Sequence, residues 1–201
     1  MRRLWVVASV LVLLAGGGAA LGLALSRSGG QAYVGSRPPG HVELPSFVLR
    51  EASGSPVRSR DLRGKVVVVT FLESKCRAAC PVVAFQLARG LRLLSPSERS
   101  RVVALAISVH PGDDTAASVR AFLRRQRAER ELRYLIGSER ELRPVWRAFQ
   151  VLPALATGDP NLHSAPVRIF DPQGTWVSTL HAGVDLTPAN LRHDVLLALS
   201  S

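Results

Sequence analysis

The two cysteines of this 201-residue chain, Cys76 and Cys80, stand four positions apart and are its most reactive side chains. Two thiols at this spacing can work as a redox pair, hold one metal ion together, or form a plain structural disulfide. A cysteine peroxidase is disfavoured, because Glu73, Ser74 and Lys75 precede Cys76 where a Thr-x-x-Cys pattern is expected. The spacing therefore indicates either metal binding or thiol–disulfide chemistry.

The cysteines lie where a strand is predicted to end and a helix to begin. Residues 66–71 are a β-branched run typical of a buried strand, and apolar residues at helical spacing follow from 81 to 94. In open α/β sheets, functional sites collect at the carboxyl ends of strands. The helix N-terminus, with Lys75 and Arg77 beside it, is expected to favour the thiolate, which is both nucleophile and metal ligand.

Strand and helix patterns alternate along the rest of the chain. Buried strands are predicted over residues 101–109 and 132–136, each followed by a helix, and a hairpin over 167–181 precedes a last helix. Asp114 or Thr115 is the expected N-cap of the first of these helices, and Ser138 has capping-box spacing to Glu141 for the second. This order predicts a three-layer α/β domain over residues 41–201, with a central mixed sheet, helices on both faces and a thioredoxin-like arrangement.

The N-terminus carries a different signal. Residues 4–25 have no charge and follow Arg2 and Arg3, and a helix rising about 1.5 Å per residue can cross a hydrocarbon core of about 30 Å with such a run. Residues 1–27 are therefore predicted to be a single transmembrane helix, with a cleaved signal peptide as the alternative. The arginine pair places the N-terminus in the cytoplasm and the domain outside it. The Gly-, Ser- and Pro-rich residues 28–40 are predicted to be a flexible linker.

Composition excludes several classes of protein. With 47% hydrophobic residues the chain is too apolar for a disordered basic tail protein. Two cysteines cannot build a disulfide-dense scaffold, an array of zinc fingers or an all-cysteine iron–sulfur site. The formal net charge of +11 would ordinarily suggest a nucleic-acid partner. Because the domain is predicted to lie outside the cytoplasm, we expect no nucleic acid to bind.

Several short motifs together resemble one known family. The most specific are Cys76-x-x-x-Cys80-Pro81 and a His163-Ser164 pair eight residues before the turn Asp171-Pro172-Gln173-Gly174. Further matching segments run through most of the domain: Phe47-Val48-Leu49, Asp61-Leu62-Arg63-Gly64-Lys65, Ile107-Ser108-Val109, Pro111-Gly112-Asp113-Asp114-Thr115 and Leu135-Ile136-Gly137-Ser138. In these residues the chain resembles the Sco/SenC family of membrane-anchored, thioredoxin-like copper proteins.

The resemblance implies that Cys76, Cys80 and His163 are copper ligands. On spacing alone, His163 would be an ordinary solvated loop histidine. Two thiolates and one imidazole suit copper in both oxidation states, because thiolate selects Cu(I) and imidazole helps to hold Cu(II). Zinc accepts the same ligand types, so the donor set by itself leaves the metal open.

The resemblance also implies a function: a copper chaperone, or an associated thiol reductase, that assembles the copper centre of a respiratory cytochrome c oxidase. Its partners would be a copper-receiving oxidase subunit, another copper chaperone or a thioredoxin-like reductant. Such a protein is not a classical enzyme. The alternative is an extracytoplasmic thiol–disulfide oxidoreductase in which Cys76 attacks and Cys80 resolves the mixed disulfide.

The chain departs from the family pattern near the cysteines. The family usually has Pro after the first cysteine and often a Tyr-Thr pair shortly before it, whereas this chain has Arg77 and Glu73-Ser74. His110 stands where the family usually carries Asp. It is either an accessory ligand, if its loop approaches the cysteines, or a surface histidine.

Overall fold

In the computed structural model, which describes residues 32–153 and 165–201, seven strands form one mixed sheet. The strands, in chain order, are β1 (Val48–Glu51), β2 (Pro56–Arg58), β3 (Val66–Leu72), β4 (Val102–Ser108), β5 (Arg133–Ile136), β6 (Val167–Phe170) and β7 (Trp176–Leu180). Their order across the sheet is β2-β1-β5-β4-β3-β6-β7. The central strands β3, β4 and β5 are parallel, and the neighbours on either side are antiparallel to them.

Five α-helices and one 3₁₀ helix cover the sheet in the described part of the chain. They are the 3₁₀ helix Ser59–Leu62, α1 (Ala79–Arg92), α2 (Pro96–Ser100), α3 (Ala116–Arg125), α4 (Glu139–Ala148) and α5 (Pro188–Leu199). Apolar residues of α1, α3 and α5 belong to the core on one face of the sheet, and those of α4 belong to the core on the other. The predicted arrangement of a mixed sheet between two helical layers is confirmed.

Strand β3 explains why the site begins where it does. All seven of its residues are buried, as expected for a parallel strand covered on both faces. Val66 and Val68 pack into the core that contains α1, while Val67 and Val69 pack into the opposite core. The strand is therefore fixed from both sides, and the chain leaves it at Leu72 in one defined direction.

Helix α1, which follows the cysteine loop, is held against the last helix by a close approach. A Cβ atom at Gly90 would lie 2.6 Å from Leu191 Cδ2 and 3.0 Å from the Pro188 carbonyl oxygen. Only glycine allows this spacing, because any larger residue would push α1 and α5 apart. The helix that carries Cys80 is thereby anchored along its length.

The predicted elements agree with the structure in position and differ at their ends. The strands predicted over residues 66–71, 101–109 and 132–136 are confirmed as β3, β4 and β5. Helix α1 begins at Ala79 rather than residue 81, so Cys80 lies in its first turn. Thr115, not Asp114, is the N-cap of α3, and Ser138 caps α4 with the predicted capping box. Strands β1 and β2 and the short helix α2 were not predicted.

The structure extends the domain at its N-terminal side. The backbone N–H groups of Val34 and Gly35 donate to the carboxylate of Asp194 at 2.8 and 3.0 Å, and Ser36 pairs with Thr179. Part of the predicted linker is therefore fixed to the domain, because buried Asp194 accepts its amide groups. In residues 32–153 and 165–201, no helix is long and apolar enough to cross a membrane. The anchor predicted over residues 1–27 lies outside the described residues.

Candidate metal centre

The cysteine loop joins the end of β3 to the start of α1. Cys76 lies in the turn of this loop, where its backbone N–H donates to the Glu73 carbonyl oxygen at 3.3 Å. Cys80 is in the first turn of α1, where backbone N–H groups have no partner within the helix. Cys76 is 4% exposed and Cys80 is fully buried. The structure therefore brings the two predicted cysteines together at the carboxyl edge of the sheet, beneath the surface.

No disulfide joins Cys76 and Cys80 in this structure. A hydrogen bond with Cys76, followed by burial, raises the pKa of Cys80 well above that of an ordinary thiol. The prediction that this position favours the thiolate is therefore wrong for Cys80, since the proton is held between the two sulfurs. A soft cation bound by both sulfurs would displace that proton, as metal binding to thiols generally does.

Lys75 is also placed differently from the prediction. Its Nζ lies 2.5 Å from Asp113 Oδ1, and this hydrogen bond raises the pKa of Lys75 and lowers that of Asp113. The Lys75 ammonium therefore pairs with Asp113 in the loop after β4.

Asp114 connects the cysteine loop to the loop that follows β4. Its carboxylate is 3% exposed and accepts hydrogen bonds from the Ser74 N–H at 2.7 Å and the Ser108 hydroxyl at 2.6 Å. The Tyr134 hydroxyl lies 2.9 Å from the same carboxylate. Since Ser74 stands two residues before Cys76, this carboxylate fixes the backbone that presents the first thiol. Sequence reasoning considered Asp114 only as a helix cap.

The Tyr134 hydroxyl lies within hydrogen-bond distance of two acceptor oxygens. It lies 2.8 Å from the Leu72 carbonyl oxygen as well as 2.9 Å from Asp114 Oδ2, and a hydroxyl has a single proton to donate. Burial raises the pKa of Asp114, although hydrogen bonds from Ser108 and Ser74 oppose the shift. A protonated Asp114 would supply the second hydrogen bond of this pair.

A cleft of about 680 Å³ opens beside Cys76, between the cysteine loop and α3. Its lining includes the cationic side chains Lys75, Arg77 and Arg125 and the ring of Phe122. Cys76 is itself part of this lining, whereas Cys80 is not. A partner approaching through the cleft therefore meets Cys76 first, and meets it in a basic setting.

The third predicted ligand, His163, lies outside the described residues. The residues that follow it, Ala165 and Pro166, line another cleft together with Ala79, the first residue of α1. The described chain on the C-terminal side of His163 therefore faces the same cleft as the first residue of α1. His110, the other histidine considered from the sequence, lies in the loop after β4 and hydrogen-bonds within that loop.

Comparison with known proteins gives a consistent result. The sequence model of the SCO1/SenC family matches residues 37–195. ScoI of Bradyrhizobium japonicum, solved with copper bound, is 26% identical, with a TM-score of 0.65 over 79% of this chain and 100% of that one. A SCO1/SenC family lipoprotein from Bacillus anthracis is 22% identical, with a TM-score of 0.66 over 77% of this chain and 93% of that one.

A third similar structure is that of BsSco, whose description names a disulfide switch and membership of the Sco family of cytochrome c oxidase assembly proteins. It is 22% identical, with a TM-score of 0.66 over 81% of this chain and 96% of that one. None of the curated proteins compared with the chain matches it. The shared fold agrees with the predicted thioredoxin-like arrangement, and the family match spans both cysteines. The chain belongs to the SCO1/SenC family.

Proposed function

We propose that this protein binds copper through Cys76, Cys80 and His163 and serves the assembly of the copper centre of a respiratory cytochrome c oxidase. The observation that carries the proposal is the pair of buried, hydrogen-bonded cysteines in the loop before α1 and its first turn, in a chain of this family. Copper is the cargo of such a protein rather than a catalytic cofactor. The partner would be a copper-receiving oxidase subunit or another copper chaperone.

The chemistry of the two sulfurs supports copper. Thiolates are soft ligands that select Cu(I), and a buried pair keeps water away from the ion. The proton held between Cys76 and Cys80 leaves when the metal binds, so binding is expected to release protons. His163 would add an imidazole nitrogen, which suits Cu(II) as well as Cu(I). The cleft that Ala165 and Pro166 share with Ala79 is consistent with such a third ligand.

The relatives support the same proposal at the level of function. The ScoI protein of Bradyrhizobium japonicum has been solved with copper bound, and BsSco is described as belonging to a family of cytochrome c oxidase assembly proteins. Both resemble this chain over about four-fifths of its length. The present chain carries two thiols in the matched region, as a copper carrier requires.

We also propose that the domain works outside the cytoplasm. The uncharged residues 4–25 behind Arg2 and Arg3 are suited to an anchor or an export signal. The Bacillus anthracis relative is described as a lipoprotein. If the domain is exported, a protease added to intact spheroplasts will degrade it, whereas a cytoplasmic marker protein will survive. Equal protection of the domain and the marker would contradict this location.

A second candidate function is thiol–disulfide exchange, favoured by the hydrogen-bonded thiols and their unequal exposure. Cys76 lines the cleft and would attack a partner disulfide as the thiolate, releasing one partner thiol and forming a mixed disulfide. Cys80, which is fully buried behind it, would then displace the second partner thiol. The products are a reduced partner and a Cys76–Cys80 disulfide, which a thioredoxin-like reductant would restore to two thiols.

Titration of the purified chain with Cu(I) under reducing conditions tests the main proposal. We expect one tightly bound ion per chain, lost in a Cys76→Ser variant and weakened in a His163→Ala variant. His41→Ala is the matched control, since His41 is an exposed histidine near the start of the domain. Stoichiometric copper binding that survives Cys76→Ser would overturn the proposal.

The same variants separate the two candidate functions. Thiol–disulfide exchange requires Cys76 and Cys80 but no histidine ligand. If His163→Ala lowers copper affinity and leaves the rate of disulfide reduction unchanged, the two activities share only the cysteines. If His163→Ala leaves copper affinity equal to that of the unmodified chain, the three-ligand site is wrong.

A further inference from the structure

A second group of metal-ligand side chains lies at the same edge of the sheet and includes neither sulfur. Glu73 directly follows β3, while His110 and Asp113 lie in the loop after β4. One donor atom of each residue lies within 4.8 Å of those of the other two. Among residues 32–153 and 165–201, this is the only group of three histidine, cysteine, aspartate or glutamate side chains that meets this distance.

The imidazole of His110 presents a lone pair to this group. Its Nδ1 accepts a hydrogen bond from the Asp113 backbone N–H at 3.2 Å and lies 3.5 Å from Asp113 Oδ2. A nitrogen that accepts a hydrogen bond carries no proton, and this is the form that binds a metal ion. A bound cation would replace the long amide hydrogen bond at the same lone pair. Nδ1 of His110 is therefore already directed at the Asp113 side of the group.

The three residues differ in exposure in a way that suits a shallow site. Glu73 is fully buried, whereas the side chains of His110 and Asp113 are 28% and 26% exposed. The Glu73 carboxylate is therefore buried, whereas the His110 imidazole and the Asp113 carboxylate are partly exposed to solvent.

Charge also favours a cation at this point. The Glu73 and Asp113 carboxyl groups are hydrogen-bonded to each other, and this bond helps to lower the pKa of Asp113, so the pair holds a proton between two acidic groups. Lys75 Nζ contacts only one side of the pair, at Asp113 Oδ1, while Asp113 Oδ2 faces the imidazole. A divalent ion among the three donors would displace that proton and balance the charge of both carboxylates.

We propose that Glu73, His110 and Asp113 form a second cation site, for a divalent transition-metal ion such as Zn²⁺ or Cu²⁺. Two carboxylate oxygens and one imidazole nitrogen are harder donors than thiolates and favour divalent ions over Cu(I). Three protein ligands leave at least one coordination position open for water or an exchanging ligand. The site uses no cysteine and is independent of the proposed function.

The test uses the full chain with both thiols removed, as Cys76→Ser together with Cys80→Ser. Titration with Co²⁺ is expected to give one ion per chain with weak d–d absorption and no thiolate-to-cobalt charge-transfer band. Zn²⁺ is expected to displace the Co²⁺. Adding His110→Ala or Glu73→Gln should each weaken Co²⁺ binding at least about tenfold, the lower end of losses seen even for outer-shell partners of a metal.

Two further variants sharpen the test. His41→Ala is the matched control and should leave Co²⁺ affinity unchanged, because His41 is exposed and has only Glu43 beside it, at 3.7 Å. Lys75→Ala should tighten Co²⁺ binding, because the lysine ammonium competes for Asp113. A purely structural role for the three residues would give no such tightening.

Absence of Co²⁺ binding in the thiol-free chain would overturn the proposal, as would binding that His110→Ala leaves unchanged. Circular dichroism shows whether Glu73→Gln still folds; if it does not, the partly exposed His110 decides the result alone. Cu(I) binding by the unmodified chain is a separate measurement. Absence of Cu(I) binding would contradict the copper proposal but not the second site. Absence of Co²⁺ binding in the thiol-free chain would contradict the second site but not the copper proposal.

Discussion

The loops that follow β3 and β4 lie side by side but carry opposite chemistry. The two strands are parallel and in register, with Leu72 opposite Ser108, so both loops leave the sheet at the same edge. The first loop leads to two buried thiols, and the second carries His110 and Asp113, which are partly exposed. The two groups of ligands therefore lie next to each other, and Glu73 of the first loop belongs to the second group.

The buried carboxylate of Asp114 lies between the two loops and contacts both of them. Asp114 accepts hydrogen bonds from Ser74 of the first loop and from Ser108 at the end of β4. It holds the two loops at a fixed separation while its neighbour Asp113 turns outward to Lys75. The cysteine loop thus depends on the second loop for its shape, and the second loop provides two of the three donors proposed for a cation.

The largest expected effect comes from removing the shared support. Asp114→Ala leaves the buried donors of Ser74 and Ser108 without their acceptor. Each buried unsatisfied group costs about 1–3 kcal/mol, so we expect a loss of about 2–6 kcal/mol in the free energy of unfolding. Urea denaturation measures it. The control is Asp171→Ala, which removes one hydrogen bond from Thr175 N–H, of 2.8 Å, in the hairpin turn. An Asp114→Ala variant no less stable than Asp171→Ala would contradict the supporting role.

A smaller loss is expected at the hydroxyl that joins β3, β5 and the second loop. Tyr134→Phe removes the group between the Leu72 carbonyl and Asp114, and we expect it to lower the free energy of unfolding by about 1–2 kcal/mol. Tyr33→Phe is the matched control, because the Tyr33 hydroxyl is exposed and lies 3.4 Å from Ser201 Oγ. Equal stability of the two variants would show that the buried hydroxyl does not stabilise the loops.

The raised pKa of Asp114 predicts a pH dependence. Burial is its main cause, so the folded protein holds this proton more tightly than the unfolded chain, whose aspartates titrate near pH 3.9. Stability from this group is present below the unfolded pKa and falls as pH rises through the folded pKa. Urea denaturation should therefore show that the free energy of unfolding of the unmodified chain, relative to that of Asp114→Asn, declines as pH rises. A relative free energy of unfolding that grows with pH would contradict the raised pKa of Asp114.

The smallest effect is expected at the exposed pair between the loops. Lys75→Ala should leave the urea midpoint unchanged, because the lysine is solvent-exposed and such pairs contribute little to stability. The variant therefore separates ion binding from folding. A shift in midpoint as large as that of Tyr134→Phe would mean that Lys75 holds the loops together.

Much of this arrangement could be predicted from local sequence. Residues 66–71 form a β-branched run between turn signals, which indicates a buried central strand, and the cysteines follow it directly. Ser138 and Glu141 form a capping box that depends only on neighbours in the chain. Strands β1 and β2 were missed because they are short, and Pro56 and an exposed Val48 hide the usual alternation.

The parts that could not be predicted depend on contacts between distant residues. The sequence predicts Asp114 only as a helix cap. Its role in fixing the cysteine loop depends on a hydrogen bond from Ser74, which is forty positions away. The same holds for the proton shared by Cys76 and Cys80, which requires knowledge of burial. The Glu73, His110 and Asp113 group did leave a signal, because Glu73 and His110 both closely follow neighbouring parallel strands.

X-ray absorption spectroscopy of the full chain loaded with one equivalent of Cu(I) tests most directly which loop holds the copper. The proposed function predicts two sulfur ligands at the metal, from Cys76 and Cys80, with a nitrogen ligand beside them. It further predicts that the sulfur signal disappears in the Cys76→Ser, Cys80→Ser chain. Copper surrounded only by nitrogen and oxygen in the unmodified chain would contradict the proposal, because it would place the cargo on the loop after β4.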